Sequence, residues 1–331
     1  MGISMDKLKI GVIGCGTVAG YGHIPAVTRS ELTELVAVVD VNPEKARKTA
    51  GKYGVKHYSS YKEFLECEDV DAVIIATPTF THKEIAVAAF KAGKHVLCEK
   101  PIALSLEEAD EMIKAAEVNN CVFMIGFTRR FSPKYRKIKE LLDRGEIGEL
   151  KYVKQIVNWS GPIWAGLERY SWMINIGGGP LIDEGVHEAD VLRWYTGREA
   201  STVYAEALWF KPSIKYPDHV NVLVKMDNGV LGYIELSWAY PKAENTLQLI
   251  GTDGMISGED KIFLYRGKEK TVFETDDDRN NFLRELEHFV ECIVKGIRPA
   301  ASGYEGRAAL EITLAALKSI KEKKPVRLPI R

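Results

Sequence analysis

The chain has 331 residues, 46% of them hydrophobic and 27% charged, with a formal net charge of −1. That length suggests about two domains with substantial cores. Mixed charge without a long basic run argues against a nucleic-acid binder, and no apolar run is long enough for a signal peptide or a membrane span. Five cysteines (Cys15, Cys67, Cys98, Cys121 and Cys292) are scattered and contain no Cys-x-x-Cys pair, so neither a disulfide framework nor a zinc ribbon is implied. A reducing, cytoplasmic setting is expected.

Residues 1–125 alternate short apolar runs with helical segments, the pattern of a parallel sheet covered on both faces. The strands are expected at "KIGVIG" (9–14), "LVAVVD" (35–40), "KHY" (56–58), "AVIIAT" (72–77), "HVLC" (95–98) and "VFMIGF" (122–127). Helices fill the gaps. One ends at Gly54, one at Gly93 as a C′ residue, and one starts at Ser105 with Glu108 spaced as a capping box.

Residues 126–331 form the second expected domain, with a different texture. A basic helix spans about 133–144 and a strand "ELKYVKQIVNW" follows; a glycine-rich loop leads into another helix, and β-patterned segments run from about Thr202 to Tyr265. Two more helical segments, 280–296 and 305–324, are expected to pack across the domain junction. The fold class is therefore α/β. The first domain has a parallel sheet and the second is sheet-rich.

The strongest local motif is "GVIGCGTVA", where Gly14, Gly16 and Ala19 form G-x-G-x-x-A between a strand and a helix, with Thr17 and Val18 inside the turn. Such a turn lets backbone amides approach a pyrophosphate at a helix N-terminus. Asp40 ends the second strand, where an acid can accept both ribose hydroxyls of NAD and would repel a 2′-phosphate. NAD is therefore expected over NADP, unless Lys45 or Arg47 compensates. The bland alternative is a glycine turn that binds nothing.

Ligands of open α/β sheets lie beyond the carboxyl ends of the strands, so "TPTFTH" (77–82) and "EKP" (99–101) should face the cofactor. Thr77, Pro78 and Thr79 are expected to line the nicotinamide ribose, with His82 at the start of the next helix and Glu99 and Lys100 at the strand exit. Pro101 stiffens the backbone of Lys100, and a stiff lysine can be aimed; an ordinary solvated lysine is the rival reading.

In "GGGPLIDEGVHEADVLRWYTG" (177–197), Asp183 and His187 are spaced i, i+4 on an expected single helix, so both lie on one face. An acid can orient an imidazole for general acid/base work. A surface helix with incidental acids and a metal site are the alternatives, the latter lacking a third and fourth ligand, so no metal is expected. Asp190 and Arg193 read as a structural ion pair.

Taken together, "GVIGCGTVA", Asp40, "ATPTFTH", "CEKPIAL", "GFTRRFSP", "GGGPLIDEGVHEAD" and "ALKSIKEKKPVRLP" resemble the glucose-fructose oxidoreductase, inositol dehydrogenase and rhizopine-catabolism (Gfo/Idh/MocA) group of NAD(P)-dependent dehydrogenases. The resemblance covers nearly the whole chain. It implies a Rossmann domain followed by an α+β domain with a large open, mostly antiparallel sheet, through which a homodimer or homotetramer forms. It also implies a catalytic set of Lys100, Asp183 and His187, and substrate contacts from Arg130, Asn158, Trp172 and Tyr240. The implied activity is oxidation of a secondary alcohol on a sugar, inositol or related polyol by hydride transfer to NAD. The alternatives are a redox-assisted glycoside hydrolase and a ligand sensor without turnover.

Overall fold

A computed structural model describes residues 7–161, 177–211, 214–258, 260–275 and 280–330. β1 (Leu8–Ile13), β2 (Thr33–Val39), β3 (Lys56–Tyr58), β4 (Ala72–Ile75), β5 (His95–Cys98) and β6 (Phe123–Ile125) form a sheet in the order 3-2-1-4-5-6. Every neighbouring pair is parallel. That order reverses between β1 and β4, which makes the carboxyl ends of those strands the place for a dinucleotide. All of β4 is buried, as are Val96, Leu97 and Cys98 of β5. Continuous burial of this kind requires cover on both faces, and each Val or Ile so buried contributes roughly 1.5–3 kcal/mol.

The helices begin and end where local chemistry tells them to. α1 (Ile24–Arg29) follows a π turn at Ala19–His23. α2 (Pro43–Tyr53) is capped by Asn42, whose side chain accepts from the Lys45 N–H, and ends at Gly54 with φ +70. α3 (Tyr61–Cys67) is capped by Ser60. After α4 (His82–Lys91), Gly93 takes φ +71 as a C′ glycine should. α5 (Leu106–Val118) starts with half of the expected box: Ser105 accepts from the Glu108 N–H at 3.2 Å, while Glu108 reaches back to the N–H of Leu104 at 3.2 Å rather than to that of Ser105.

The second sheet is built, among the described residues, from β7 (Leu150–Asn158), β8 (Ala200–Leu208), β9 (His219–Met226), β10 (Leu231–Ser237), β11 (Glu244–Gly251), β12 (Met255–Gly258), β13 (Ile262–Arg266), β14 (Glu269–Phe273) and β15 (Val326–Arg327). Its order is 14-13-12-11-7-10-9-8-15. Only the β10–β7 pairing is parallel; the others are antiparallel. α6 (Pro133–Asp143), α7 (Gly179–Asp183) and α8 (Gly185–Thr196) belong with this sheet. A Cβ on Gly232 would lie 2.5 Å from Leu192, and one on Gly185 would lie 3.0 Å from Leu236, so α8 covers the face that bears residues 232, 234 and 236. Trp238 follows on that same inner side and is fully buried.

The chain divides into two units, 1–131 with 279–307, and 132–278 with 308–331. A single cut after residue 125 therefore misses a return. α9 (Asn281–Lys295) goes back to the first unit because Leu286 and Phe289 enter the same buried cluster as Ile10, Val12 and Met124. The boundary between the units falls inside α10 (Gly303–Glu322).

Candidate active site

In the first unit the glycine turn is set by close backbone approach. Gly14 has φ +98, and a Cβ there would lie 2.4 Å from the Ala76 carbonyl oxygen. A Cβ on Gly16 would find its nearest atom 3.9 Å away, so the turn keeps open space in front of it. Thr17 and Val18 start the helix that passes through the π turn, and Ala19 is buried beneath it. Asp40 is tied to this turn: Oδ2 accepts from the Cys15 backbone N–H at 2.9 Å and Oδ1 from the Asn42 N–H at 2.9 Å. Lys45 Nζ stands 3.5 Å from the same Oδ2. An open glycine turn at a helix N-terminus, with an anchored acid at the neighbouring strand end, fits a dinucleotide's pyrophosphate and ribose.

The loops after β4 and β5 are braced against each other. His82 is fully buried, with Nε2 2.9 Å from the Thr77 carbonyl oxygen and Nδ1 2.9 Å from that of Pro101. Burial lowers its pKa, and a neutral ring has a single N–H, which it donates to one of these two carbonyls while it packs between the loops. The Thr81 hydroxyl donates to Thr77 Oγ1 at 2.7 Å; Pro78 is half-buried and Thr79 buried. Glu99 turns its carboxylate inward, Oε1 against His23 Nε2 at 2.7 Å and Oε2 accepting from the Lys100 backbone N–H at 3.1 Å. Lys100 is half-buried at the strand exit. Arg130 is buried, and its Nη1 donates to the Ala300 carbonyl at 2.6 Å.

In the second unit, Gly178 (φ +82) and Gly179 (φ +70) shape the entry to α7. A Cβ at Gly178 would lie 2.3 Å from Ile182, so no larger residue fits there. The expected single helix is two: Asp183 ends α7, and His187 lies one turn into α8, with Glu184 as the joint. Glu184 keeps helical angles (φ −91, ψ −40), so the pair stays about one turn apart despite the break. Asp183 is half-buried and His187 is buried at 9% exposure. Arg193 pairs with Glu199, its Nε 2.8 Å from Oε2.

Asn158 and Tyr240 meet on a residue that motif reading passed over. Glu235 Oε1 accepts from Asn158 Nδ2 at 2.7 Å and from the Tyr240 hydroxyl at 3.1 Å, and Oε2 from the Tyr233 hydroxyl at 3.0 Å. Burial pushes the Glu235 carboxyl up, but these three donors outweigh it and hold it below its ordinary value. By strand alternation Glu235 lies on the face of β10 opposite α8. Trp172 lies outside the described residues. Among the described residues no group of three or more His, Cys, Asp or Glu could hold a metal ion, and no helix is long and apolar enough to cross a membrane.

Two family models match. Residues 8–127 match the oxidoreductase family with an NAD-binding Rossmann fold, and residues 135–257 match the GFO/IDH/MocA C-terminal domain. The chain is 32% identical to myo-inositol 2-dehydrogenase of Thermotoga maritima, over 97% of this chain and 98% of that protein. The chain belongs to the Gfo/Idh/MocA oxidoreductase family. It is also 29% identical to the NAD(+)-dependent scyllo-inositol 2-dehydrogenase of Bacillus subtilis, over 98% of this chain and 97% of that one. A solved structure of a probable dehydrogenase from Thermotoga maritima superposes with a TM-score of 0.85 at 30% identity, covering 97% of this chain and 99% of the other.

Within this Gfo/Idh/MocA chain, each motif expected to carry the cofactor falls at a strand end of the parallel sheet, and the Asp183–His187 pair falls at the head of the helix that covers the open sheet. Motif reading missed His23 and Glu235. His23 carried a usable signal, standing four residues after Ala19 and so on the same inward helix face.

Proposed function

We propose that the protein is an NAD-dependent dehydrogenase that oxidises a secondary alcohol of an inositol, sugar or related polyol. The observation that carries this reading is the full-length likeness to myo-inositol 2-dehydrogenase. NAD, when bound, supplies the hydride acceptor. The glycine turn at Gly14, Gly16 and Thr17 to Ala19 holds the pyrophosphate, and Asp40 accepts the adenosine ribose hydroxyls, which favours NAD over NADP. Thr77, Pro78 and Thr79 line the nicotinamide ribose. His187 takes the hydroxyl proton, Asp183 orients its imidazole, and Lys100 donates a hydrogen bond to the reacting oxygen and stabilises its developing charge. Arg130, Asn158, Trp172 and Tyr240 are assigned to the substrate side.

The reading includes a homo-oligomer in the cytoplasm. Five free cysteines suit a reducing compartment. The face of the second sheet away from α8 leaves Leu223, Leu231 and Ile250 exposed, with Tyr152, Tyr204 and Tyr233 half-buried among them. An apolar, aromatic face of that kind fits the same face of a second copy.

A panel of inositols, sugars and uronic acids assayed for NADH formation by absorbance tests the function. Turnover on at least one polyol is expected. NADH formation on none of them, with glycoside cleavage on a parallel panel, would replace the dehydrogenase by the hydrolase.

A further inference from the structure

The helix that leaves the glycine turn passes through the π turn Ala19–His23, which closes with the Ile24 N–H donating to the Ala19 carbonyl. Such five-residue closures are rare inside helices and recur at functional sites. His23 ends the turn and is buried at 1% exposure, with its imidazole inside the first unit. α9 closes over it. Phe282 sets its ring edge-on to His23 at 5.0 Å, and a Cβ on Gly22 would lie 2.8 Å from that same ring.

The imidazole reaches the exit of β5. His23 Nε2 stands 2.7 Å from Glu99 Oε1, and Glu99 Oε2 accepts the Lys100 backbone N–H at 3.1 Å. One buried carboxylate therefore joins the two. The Glu99 backbone is itself fixed to the sheet, its N–H donating to the Ile75 carbonyl at 2.9 Å, so the carboxylate starts from a set place and His23 decides where it points. Burial alone would raise the Glu99 carboxyl, but the hydrogen bond and charge of His23, followed by the charges of Lys100 and His82, hold it below its ordinary value. An ionised carboxylate has no proton to give, so His23 Nε2 carries the N–H of this contact. Hydrogen bonds to such a charged acceptor are about twice as strong as those between neutral groups.

We propose that His23 is a positioning residue for Lys100: through Glu99 it ties the Lys100 backbone to the helix that begins at the glycine turn. The proposal rests on the catalytic reading of Lys100 given above. Without the His23 N–H, one oxygen of a buried carboxylate loses its donor, and the group turns to find another. The Lys100 N–H then loses its acceptor, and the lysine drifts from the oxygen it is meant to hold. A misplacement of roughly 1 Å at a reacting group can cost about a hundredfold in rate. The loss here is smaller, because the ring of His82 still packs against the Pro101 carbonyl at 2.9 Å.

The test compares two amides at this position. Glutamine can put its N–H where Nε2 stands, and asparagine, one carbon shorter, cannot. With the polyol found by the panel, His23→Asn should lower kcat by about tenfold and His23→Gln should recover most of it. NAD affinity by calorimetry should stay near that of the wild type in both, because Asp40 and the glycine turn keep their own hydrogen bond. Added to Lys100→Ala, His23→Asn should cost less than about twofold more, since a residue that acts through Lys100 then has nothing to act through. In enzyme labelled with ¹³C-lysine, the Lys100 NMR signal, assigned by its loss in Lys100→Arg, should move in His23→Asn and return in His23→Gln. Should His23→Asn not fold, His23→Leu, which fills the space without a donor, is held to the same criteria. Losses that multiply in the double variant, a glutamine no better than asparagine, or a Lys100 signal unmoved by His23→Asn overturns the proposal. If the wild type oxidises none of the polyols, the dehydrogenase reading fails, and the Lys100 signal still decides the role of His23.

Discussion

Asp40 Oδ2 lies 2.9 Å from the backbone nitrogen of Cys15, so the acid that follows β2 is hydrogen-bonded to the glycine turn that follows β1. One carboxylate thereby fixes the turn, and on the proposed reading it also accepts the adenosine ribose hydroxyls. Asp40→Ala should remove both effects. Hydrogen bonds to a charged group are each worth about 1.5–3 kcal/mol, so NAD affinity should fall by roughly ten- to a hundredfold. With the acid gone, Lys45 remains close to the turn and NADP should gain relative to NAD. Calorimetric titration with both nucleotides measures this, and an unchanged NAD affinity would remove Asp40 from the site.

Gly14→Ala should destabilise the fold. Its φ of +98 is strained for alanine, and the new methyl would lie 2.4 Å from backbone at Ala76, which cannot swing away as a side chain can. The left-handed backbone alone costs about 1–2 kcal/mol before the clash is counted. Gly20, inside the π turn, is the control: a Cβ there meets nothing within 4 Å, and alanine should be neutral or stabilising. Urea denaturation should give a lower midpoint for Gly14→Ala and an unchanged or higher one for Gly20→Ala, and equal midpoints would count against the turn geometry.

Where residues repeat with the period of their element, the sequence was a good guide. "HVLC" is β5 from end to end, and "KIGVIG" differs from β1 by one residue at each end, because a buried parallel strand is one unbroken apolar run. Asp183 and His187 were visible through spacing alone, although the helix between them breaks at Glu184. The sequence put the segment of α9 at the domain junction but did not tell which unit it joins. An amphipathic helix announces that it has a buried face but not which sheet receives it, and Leu286 and Phe289 would suit either. Glu235 stayed hidden for a related reason: period two places it on one face of β10 without saying whether that face meets Asn158 and Tyr240 or solvent. Glu285 was hidden because the chain's other glutamates are mostly solvated, and only packing reveals one without a partner.

Stability should carry the mark of Glu285. Its folded pKa is raised well above the ordinary value of 4.5, so the folded state holds a proton that the unfolded chain gives up at neutral pH. The stability it permits is complete below about pH 4.5 and declines as pH rises above that value toward the folded pKa. Glu285→Gln should therefore be more stable than the wild type at neutral pH, with the difference shrinking to nothing in acid. Urea titrations at several pH values check the sign; a variant less stable at neutral pH than in acid, relative to wild type, would refute a neutral Glu285.

Leu223 pairs with Tyr204 on β8 and with Tyr233 on β10 at the centre of the sheet's outer face. If that face joins two copies, Leu223→Lys should split the oligomer while leaving the fold intact, since the position is 44% exposed in the single chain. Light scattering at micromolar concentration should give a dimer or tetramer for the wild type and a smaller species for the variant. A wild-type monomer would remove the interface.

The central claim is that Lys100 and His187 act on the reacting hydroxyl, and steady-state turnover of their alanine variants tests it most directly. With NAD and the polyol that the wild type oxidises, Lys100→Ala and His187→Ala should each lower kcat by roughly a hundredfold or more, the usual scale of lost acid/base help. NAD affinity by calorimetry should stay near that of the wild type, because the glycine turn and Asp40 are untouched. Wild-type kcat in both variants would contradict the account, and Lys100 would then be an ordinary lysine at a strand exit.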